Sequence, residues 1–369
     1  MDTVRMQTMP NMQTFNYQAN PARVIFGAGS VQQVGAEVER LGARRALVLY
    51  TPEQVVSAQQ VAALLGDRAA GIFANAVMHV PIETACEAQG VARRLGADCA
   101  VAIGGGSTTG LGKAITLDSG LPIIAIPTTY AGSEMTPIFG LTEAGVKKTG
   151  RDPRVLPRTV IYDPELTLTL PFALTVTSVF NAIAHAAEGL YAHDGNPVLA
   201  LMAEEGIRAS AAALAPLHSD PRDLAARSDA LYGAWLCGSV LGGVAMGLHH
   251  KLCHTLGGSF NLPHAEVHTV VLPHALAYNA AAAPQAMLRI ARALQAADPS
   301  LDTSDPARAL QLLAARHGAP LSLAALGMPA DGLDRAADLA VATPYPNPRP
   351  LERGALRTLL QRAFDGAAP

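Results

Sequence analysis

Histidine is the residue whose placement carries the most chemistry in this chain. Of its eleven histidines, six fall in one short window: His249, His250, His254, His264, His268 and His274. Another, His185, follows Asn181 by four residues, so the two share one face of any helix that holds them. His250 and His254 share a face for the same reason. Imidazoles gathered from separate helices either hold a metal or move protons. His185, His250, His254 and His264 are the candidates for that work. His249, His268, His274, His79 and His193 are read instead as surface residues or as core residues with satisfied nitrogens.

A second group of residues points to a bound anion. Gly104-Gly105-Gly106-Ser107 follows the apolar run Cys99–Ile103 and opens a helical stretch. Glycines let the backbone approach a bulky phosphate, and the helix that follows presents free N–H groups to it. The loop matches neither of the common nucleotide fingerprints, and alone it could be a tight turn. A second loop, Pro127-Thr128-Thr129-Tyr130-Ala131-Gly132-Ser133-Glu134, follows another apolar run. Two such loops at the ends of neighbouring strands suit a dinucleotide. Gly104, Gly105, Gly106, Ser107, Thr128, Thr129 and Ser133 are the expected contacts. The first strand runs into Tyr50-Thr51-Pro52, with Thr51 at its end and no acid before Glu53. A 2′-phosphate meets little repulsion there, so both NADH and NADPH are expected to bind.

These loops need a parallel sheet to hold them. Arg45–Tyr50, Gly71–Phe73, Cys99–Ile103 and Leu121–Pro127 read as strands, alternating with helical stretches at 30–41 and 82–95. Continuous apolar strands between helices mean a parallel sheet covered on both faces. Beyond Phe172 the chain is Ala- and Leu-rich with helical periodicity. The expected organisation is an α/β dinucleotide-binding domain at 1–172, with residues 1–13 a loose tail, and an all-helical domain at 173–369. The stretch Thr343–Pro350, with four prolines in eight residues, must be extended.

Composition narrows the function classes. The 369 residues carry a net charge of −3 and are 50% hydrophobic but only 15% charged, where about 25% is usual. No basic excess suggests nucleic acid, and no run nears the roughly 18 apolar residues of a membrane span. The N-terminal stretch has no secretory apolar region. Cys86, Cys99, Cys237 and Cys253 include no CxxC pair, so reduced thiols in the cytoplasm are expected, without sulfur-held zinc.

Taken together, the motifs resemble the iron-containing (group III) alcohol dehydrogenase family. The resemblance runs from Phe26-Gly27-Ala28-Gly29 onward and rests on the two loops with Lys113, Leu174-Thr175, Asn181…His185-Ala186…Glu188, and His250-Lys251-Leu252-Cys253-His254-Thr255-Leu256-Gly257-Gly258…Asn261…Pro263-His264. It implies a Rossmann-like N-terminal domain, an all-helical C-terminal domain of the dehydroquinate-synthase-like fold, an active site in the cleft between them, and a homodimer. It implies nicotinamide-dependent hydride transfer, with Lys113 among the cofactor contacts. The family's Asp-His-His-His metal ligands fall on Asn181, His185, His250 and His264, and its proton-relay histidine on His254.

Two positions depart from the family pattern. Asn181 replaces the only anionic ligand, and Gly110 stands where alcohol-oxidising relatives have Asp. Within the family, the resemblance is to the branch that reduces the C=C bond of maleylacetate to 3-oxoadipate in aromatic-compound degradation, and to its metal-free members. The substrate is then a small dicarboxylate, held by Asn181, Lys251 and Arg349, with Tyr345 as a further donor. A hydride added to an enone leaves an enolate that imidazoles can stabilise by hydrogen bonding, neutral or protonated, and protonated ones would also attract the dianion. The alternatives are a metal-dependent alcohol or polyol dehydrogenase of the same family and, third, a dehydroquinate-synthase-like lyase.

Overall fold

A strand buried on both faces has no polar side to show, and Cys99–Gly104 is such a strand, with all six residues buried. It lies inside the parallel sheet that organises the first half of the chain. The computed structural model describes residues 15, 17–20, 22–77, 80–143 and 146–369. The expected tail at 1–13 and His79 lie outside them. The strands are β1 (Arg23–Phe26), β2 (Ala46–Leu49), β3 (Ala69–Phe73), β4 (Cys99–Gly104), β5 (Ile123–Pro127), β6 (Ile138–Glu143), β7 (Val146–Arg151) and β8 (Thr159–Tyr162). Between them run α1 (Val34–Arg40), α2 (Val55–Leu65), α3 (Ile82–Leu95) and α4 (Gly106–Ser119).

Six strands form one sheet in the order β1-β8-β5-β4-β2-β3, all parallel. β6 and β7 make a separate antiparallel hairpin. The expected strands correspond to β2, β3, β4 and β5. β1 and β8, each only four residues long, are not among the expected strands. Between β2 and β4 the strand order reverses, because β3 lies on the far side of β2. Ligands of open α/β sheets bind at such a switch point, beyond the carboxyl ends of the strands. Thr51 and Gly104–Gly106 are the residues that leave those two ends.

The rest is helical: α5 (Phe172–Gly189), α6 (Pro197–Ala212), α7 (Leu214–Ser219), α8 (Leu224–Gly243), α9 (Leu248–Phe260), α10 (His264–Asn279), α11 (Pro284–Ala297), α12 (Pro306–Arg316), α13 (Gly332–Val341) and α14 (Arg353–Asp365). α5 has fifteen buried residues and forms the spine of this half. One apolar core joins it to α6 and α8 and continues through Tyr130, Val160 and Tyr162 into the sheet. A second core packs α9 and α10 against α13 and α14. Among the described residues, no single helix is long and apolar enough to cross a membrane.

Arg227 pins the two halves together. Its guanidinium is fully buried and donates to Tyr130 Oη at 3.1 Å, Thr175 Oγ1 at 2.7 Å, the Leu170 carbonyl at 2.9 Å and the Pro221 carbonyl at 2.9 Å. Tyr130 belongs to the loop after β5, Thr175 to α5 and Arg227 to α8. Replacing Arg227 with Met strands these buried acceptors, each worth about 1–3 kcal/mol when unpaired. Chemical denaturation of Arg227→Met should show a loss of at least about 3 kcal/mol; a loss under about 1 kcal/mol would remove the side chain from this role.

Candidate active site

The two loops expected at the dinucleotide site meet at the switch point. The Thr128 amide donates to the Gly104 carbonyl at 3.0 Å and joins them. Gly104 has φ +146°, and a Cβ there would lie 2.5 Å from Thr108 Oγ1. A Cβ on Gly105 would lie 3.0 Å from Thr129 Oγ1. Only glycine leaves this surface open to a phosphate. α4 starts at Gly106 with no side chain capping it and no acid in its first turn, so its free N–H groups face the crevice. Thr108 Oγ1 and Thr128 Oγ1 are buried without partners. A cradle of this kind fits a pyrophosphate. Ser107 and Thr129 are half-buried in it, and Thr51, also half-buried, follows the neighbouring strand β2. Glu53 turns back towards Thr51, and bonds from its own amide and the Thr51 hydroxyl hold its carboxylate below the usual range. The end of β2 therefore carries a negative charge that the reading from Thr51 alone did not place there.

Lys113 has a different role from the expected cofactor contact. Its ammonium is fully buried and donates to the Ser133 carbonyl at 2.7 Å, Ser133 Oγ at 3.2 Å, Thr136 Oγ1 at 3.0 Å and the Ile138 carbonyl at 2.6 Å. Those contacts use up its three N–H bonds, so it shapes the loop at 133–138 and has none left for a ligand. Burial pushes its pKa down to about 7. Ser133 is engaged by the same ammonium.

The second loop also touches the helical half. Gly132 has φ +76°, and a Cβ there would lie 3.1 Å from Gly238 Cα on α8 and 3.2 Å from His185 Nδ1 on α5. Asn181 Nδ2 donates to the Ala131 carbonyl at 3.4 Å. Asn181, His185 and Glu188 stand at i, i+4 and i+7, on one face of α5. All three are buried. Asn181 Oδ1 and His185 Nδ1 have no partners.

Glu188 was missed as a site residue in the sequence, although it belongs to the motif. Its carboxylate accepts from the backbone N–H of His249 at 2.8 Å and of His250 at 3.3 Å, in the first turn of α9. It also bonds His250 Nδ1 at 2.5 Å. An anion at a helix N-terminus is stabilised by the free N–H groups and the helix dipole. The bond to Nδ1 fixes the ring and its tautomer, and leaves His250 Nε2 buried, unpartnered and free to accept.

The imidazoles do gather, with two additions. The ring of His250 lies 5.1 Å from His185, 5.1 Å from His249, 5.0 Å from His268 and 6.2 Å from His254, centroid to centroid. His268 lies 4.4 Å from His264 and 4.8 Å from His249. His249 and His268, read as ordinary residues, are therefore central to the cluster. His268 is fully buried with neither ring nitrogen satisfied, which overturns the expectation of a satisfied core histidine. Their place is not legible in the sequence because α10 stacks His268 one turn beyond His264, and the contact with His249 arises only once α9 and α10 are paired. His274 is buried with both nitrogens unpartnered, and His193 is exposed beside Asp194.

Burial, followed by repulsion from His250, holds His185 well below the usual range, and burial followed by repulsion from His264 does the same to His268. Burial also pushes His249 down to about 4 and His250 down to about 3. The inner rings are therefore neutral at physiological pH, and their attraction for a dianion as imidazolium ions is not available in the free protein. His254 is the exposed ring of the group.

Of the expected substrate contacts, Lys251 and Tyr345 come together, with the Lys251 ammonium 5.9 Å from the Tyr345 ring. Tyr345 Oη is buried without a partner. Burial, then Glu188 and Tyr278, raise its pKa, so it is a neutral donor. Arg349 goes elsewhere: its guanidinium stacks 4.1 Å over the Tyr278 ring. Tyr278 is fourteen residues along α10 from His264, about 21 Å of helix. Arg349 thus clamps the proline-rich segment, together with the reciprocal amide pair of Asn279 and Asn347 at 3.0 and 2.8 Å. A Cβ on Gly110 would lie 2.8 Å from Val80 Cγ2, which leaves no room there for a carboxylate. A cavity of about 460 Å³ lies behind Glu188 between Tyr191, Gly247 and Pro346, away from the glycine loop; the convergent polar groups place the chemistry in the cleft instead.

Two outcomes follow from the buried charges. Glu188→Ala uncaps α9 and strands His250 Nδ1, and should lower unfolding stability by about 2 kcal/mol, measured by urea titration. His249, ordinarily 6.5 and here about 4, takes up its proton in the unfolded chain before the folded one. Its contribution to stability is complete above pH 6.5 and is lost as pH falls towards 4. The slope of stability against pH in this window should therefore be shallower in His249→Gln by up to one proton, about 1.4 kcal/mol per pH unit. An unchanged slope would mean that His249 is not held neutral by the fold.

Comparison with known proteins bears on this site. Residues 21–164 match the model of the iron-containing alcohol dehydrogenases, and residues 175–364 that of the C-terminal region of the Fe-containing alcohol dehydrogenase family. The chain is 68% identical to a maleylacetate reductase of Burkholderia cepacia over 97% of its own length and all of the relative's. It is 59% identical to one of Sphingobium indicum, covering 96% and 99%. A crystal structure of maleylacetate reductase from Agrobacterium tumefaciens superimposes with a TM-score of 0.92 at 56% identity, covering 97% and 100%. One of an iron-containing alcohol dehydrogenase from Corynebacterium glutamicum gives 0.91 at 43% identity, covering 96% and 98%. With both halves matched and the nicotinamide and imidazole sites facing each other, the chain belongs to the iron-containing alcohol dehydrogenase family of NAD(P)-dependent oxidoreductases.

Proposed function

We propose that this protein is a maleylacetate reductase, which reduces the C=C bond of maleylacetate with NADH or NADPH to give 3-oxoadipate during degradation of aromatic compounds. The observation that carries this reading is the near full-length identity, 59–68%, to relatives that bear that name. The site chemistry agrees with it. NADH is the better cofactor, because the Glu53 carboxylate beside Thr51 opposes a 2′-phosphate.

The family's name implies a metal on Asn181, His185, His250 and His264. The donor chemistry here suits a hard divalent ion poorly. Asn181 offers a neutral amide, with Nδ2 bonded to the Ala131 carbonyl and Oδ1 unpartnered. Among the described residues, the ligand atoms gathered within 4.8 Å of one another are those of His249, Cys253 and His268 and those of Glu188, His249 and His250, and not those of His185, His250 and His264. We therefore assign the reaction to the chain's own groups. When bound, the nicotinamide supplies a hydride to the alkene carbon β to the ketone, and the displaced electron pair moves to the ketone oxygen. Tyr345 Oη–H, buried and unpartnered, is the donor for that developing enolate. His254, exposed on the turn after His250, gives a proton to the adjacent carbon and recovers it from solvent. Asn181 and Lys251 hold carboxylates. The reading carries with it the family's homodimer, for which β1 is a sheet edge among the described residues, with Phe26 exposed, and a cytoplasmic setting in which the four cysteines are free.

The test is NADH consumption with maleylacetate against simple alcohols and aldehydes, with and without EDTA. Turnover of maleylacetate alone, at a rate that does not scale with metal content, is expected. Chelator-sensitive turnover of an alcohol in place of maleylacetate would make the protein a metal-dependent alcohol dehydrogenase of the same family.

A further inference from the structure

Behind the imidazoles that face the cleft lies a sulfur-containing group that neither the hydride transfer nor the family's ligand positions use. His249 and Cys253 stand one turn apart on α9, and His268 reaches them from α10. One ligand atom from each lies within 4.8 Å of the other two. The three side chains are 0%, 1% and 0% exposed. Cys253 Sγ is 3.5 Å from His249 Nε2. With Zn–N near 2.05 Å and Zn–S near 2.3 Å, a tetrahedral ion spaces its nitrogen and sulfur ligands by about 3.5 Å. The pair therefore already has the bite of a bound ion.

His268 supplies the second, independent observation. Both of its nitrogens are buried without partners. Buried polar atoms are almost always paired, and this ring can swing onto an ion without breaking a hydrogen bond. We propose that His249, Cys253 and His268 form a binding site for a borderline-soft divalent cation, Zn²⁺, separate from Asn181, His185, His250 and His264.

The charges close. Loading forms a Zn–S bond and breaks the S–H bond, and the thiol proton leaves to solvent. The thiol is protonated until then, since burial raises it. His249 transfers its proton from Nε2 to Nδ1 and gives up its 3.2 Å bond to the His268 carbonyl. Two neutral imidazoles and one thiolate leave one positive charge on the ion. Glu188, whose carboxylate lies within 4.8 Å of nitrogens of both His249 and His250, offsets it. A thiolate with two imidazoles selects Zn²⁺ and its stand-ins over Mg²⁺ or Ca²⁺. The ion would staple α9 to α10 without entering the reaction.

Cobalt distinguishes this site from the family's, because only a thiolate ligand gives sulfur-to-cobalt charge-transfer absorption in the near ultraviolet. The full-length protein should carry Cys86→Ser, which removes the exposed thiol. It is loaded in two ways, by titration with Co²⁺ and by production in cobalt-supplemented medium, so that slow entry to a buried site cannot hide binding. The expected result is a charge-transfer band saturating at one Co²⁺ per chain. The band should be lost in Cys253→Ser and retained in His264→Ala, and Zn²⁺ should displace it and raise the melting temperature. No band by either route overturns the proposal, as does a band that survives Cys253→Ser or vanishes in His264→Ala. Failure of the maleylacetate assay would leave these results untouched.

Discussion

The carboxylate of Glu188 is the constraint on which the site depends. It is buried, and an isolated buried anion is costly. It is tolerated because α9 begins directly in front of it. Two backbone N–H groups and one imidazole N–H converge on its oxygens. The arrangement works in both directions: the helix start stabilises the anion, and the anion decides where the helix starts and how His250 is turned. With Nδ1 committed, His250 can show the site only a lone pair. The rings of His249, His254 and His268 pack around it edge to face and that of His185 lies tilted against it, so a single carboxylate on α5 orders imidazoles on two other helices.

A second constraint brings the cofactor loop to this assembly. The loop after β5 passes so close to α8 that a Cβ on Gly238 would sit 2.9 Å from Gly132 Cα. Two glycines facing each other allow backbones to meet where side chains would hold them apart. That contact sets His185 against the loop and lets Asn181 reach the Ala131 carbonyl. Lys113 shapes the same loop from beneath, and Arg227 ties its Tyr130 to α5 and α8. The geometry between cofactor and imidazoles is thus enforced by buried polar bonds across the two halves, with little help from surface ion pairs.

Much of this arrangement is legible in the amino-acid sequence. β2, β4 and β5 announce themselves by unbroken apolar runs and the edge strand β3 more weakly, the glycine loop by composition, and α5 by the spacing of Asn181 and His185. What is not legible there has identifiable physical causes. β1 and β8 are four residues each and owe their existence to pairing with neighbours, which leaves no periodic signal. Lys113 looks like a phosphate ligand in sequence, because nothing local shows that four oxygens from residues 133–138 will surround it. Arg349 looks like a carboxylate ligand until Tyr278 is seen beneath it. His268 looks ordinary until α9 and α10 pair. In each case the decisive partner is distant in sequence.

The scarcity of charge then takes on a mechanistic meaning. A site for a dianion would ordinarily be lined with cations, yet here the inner imidazoles are neutral and the Arg349 guanidinium is stacked on Tyr278. Lys251 is the remaining cation among the expected substrate contacts. Charge balance explains why that can suffice. The Glu188 oxygens are turned to the start of α9, where two backbone N–H groups and an imidazole N–H take them up, and position 181 carries an amide where the family pattern has a carboxylate. Removing that one anion from the cleft does for a dicarboxylate what adding a lysine would do, without the desolvation cost of burying another ammonium. With His250 Nδ1 held by Glu188 and its Nε2 left as an acceptor, the hydrogen bond an enolate needs falls to the unpartnered Tyr345 Oη–H and not to that ring. On this argument the substitution at Asn181 makes the cleft receptive to an anion while leaving its hydrogen-bonding frame intact.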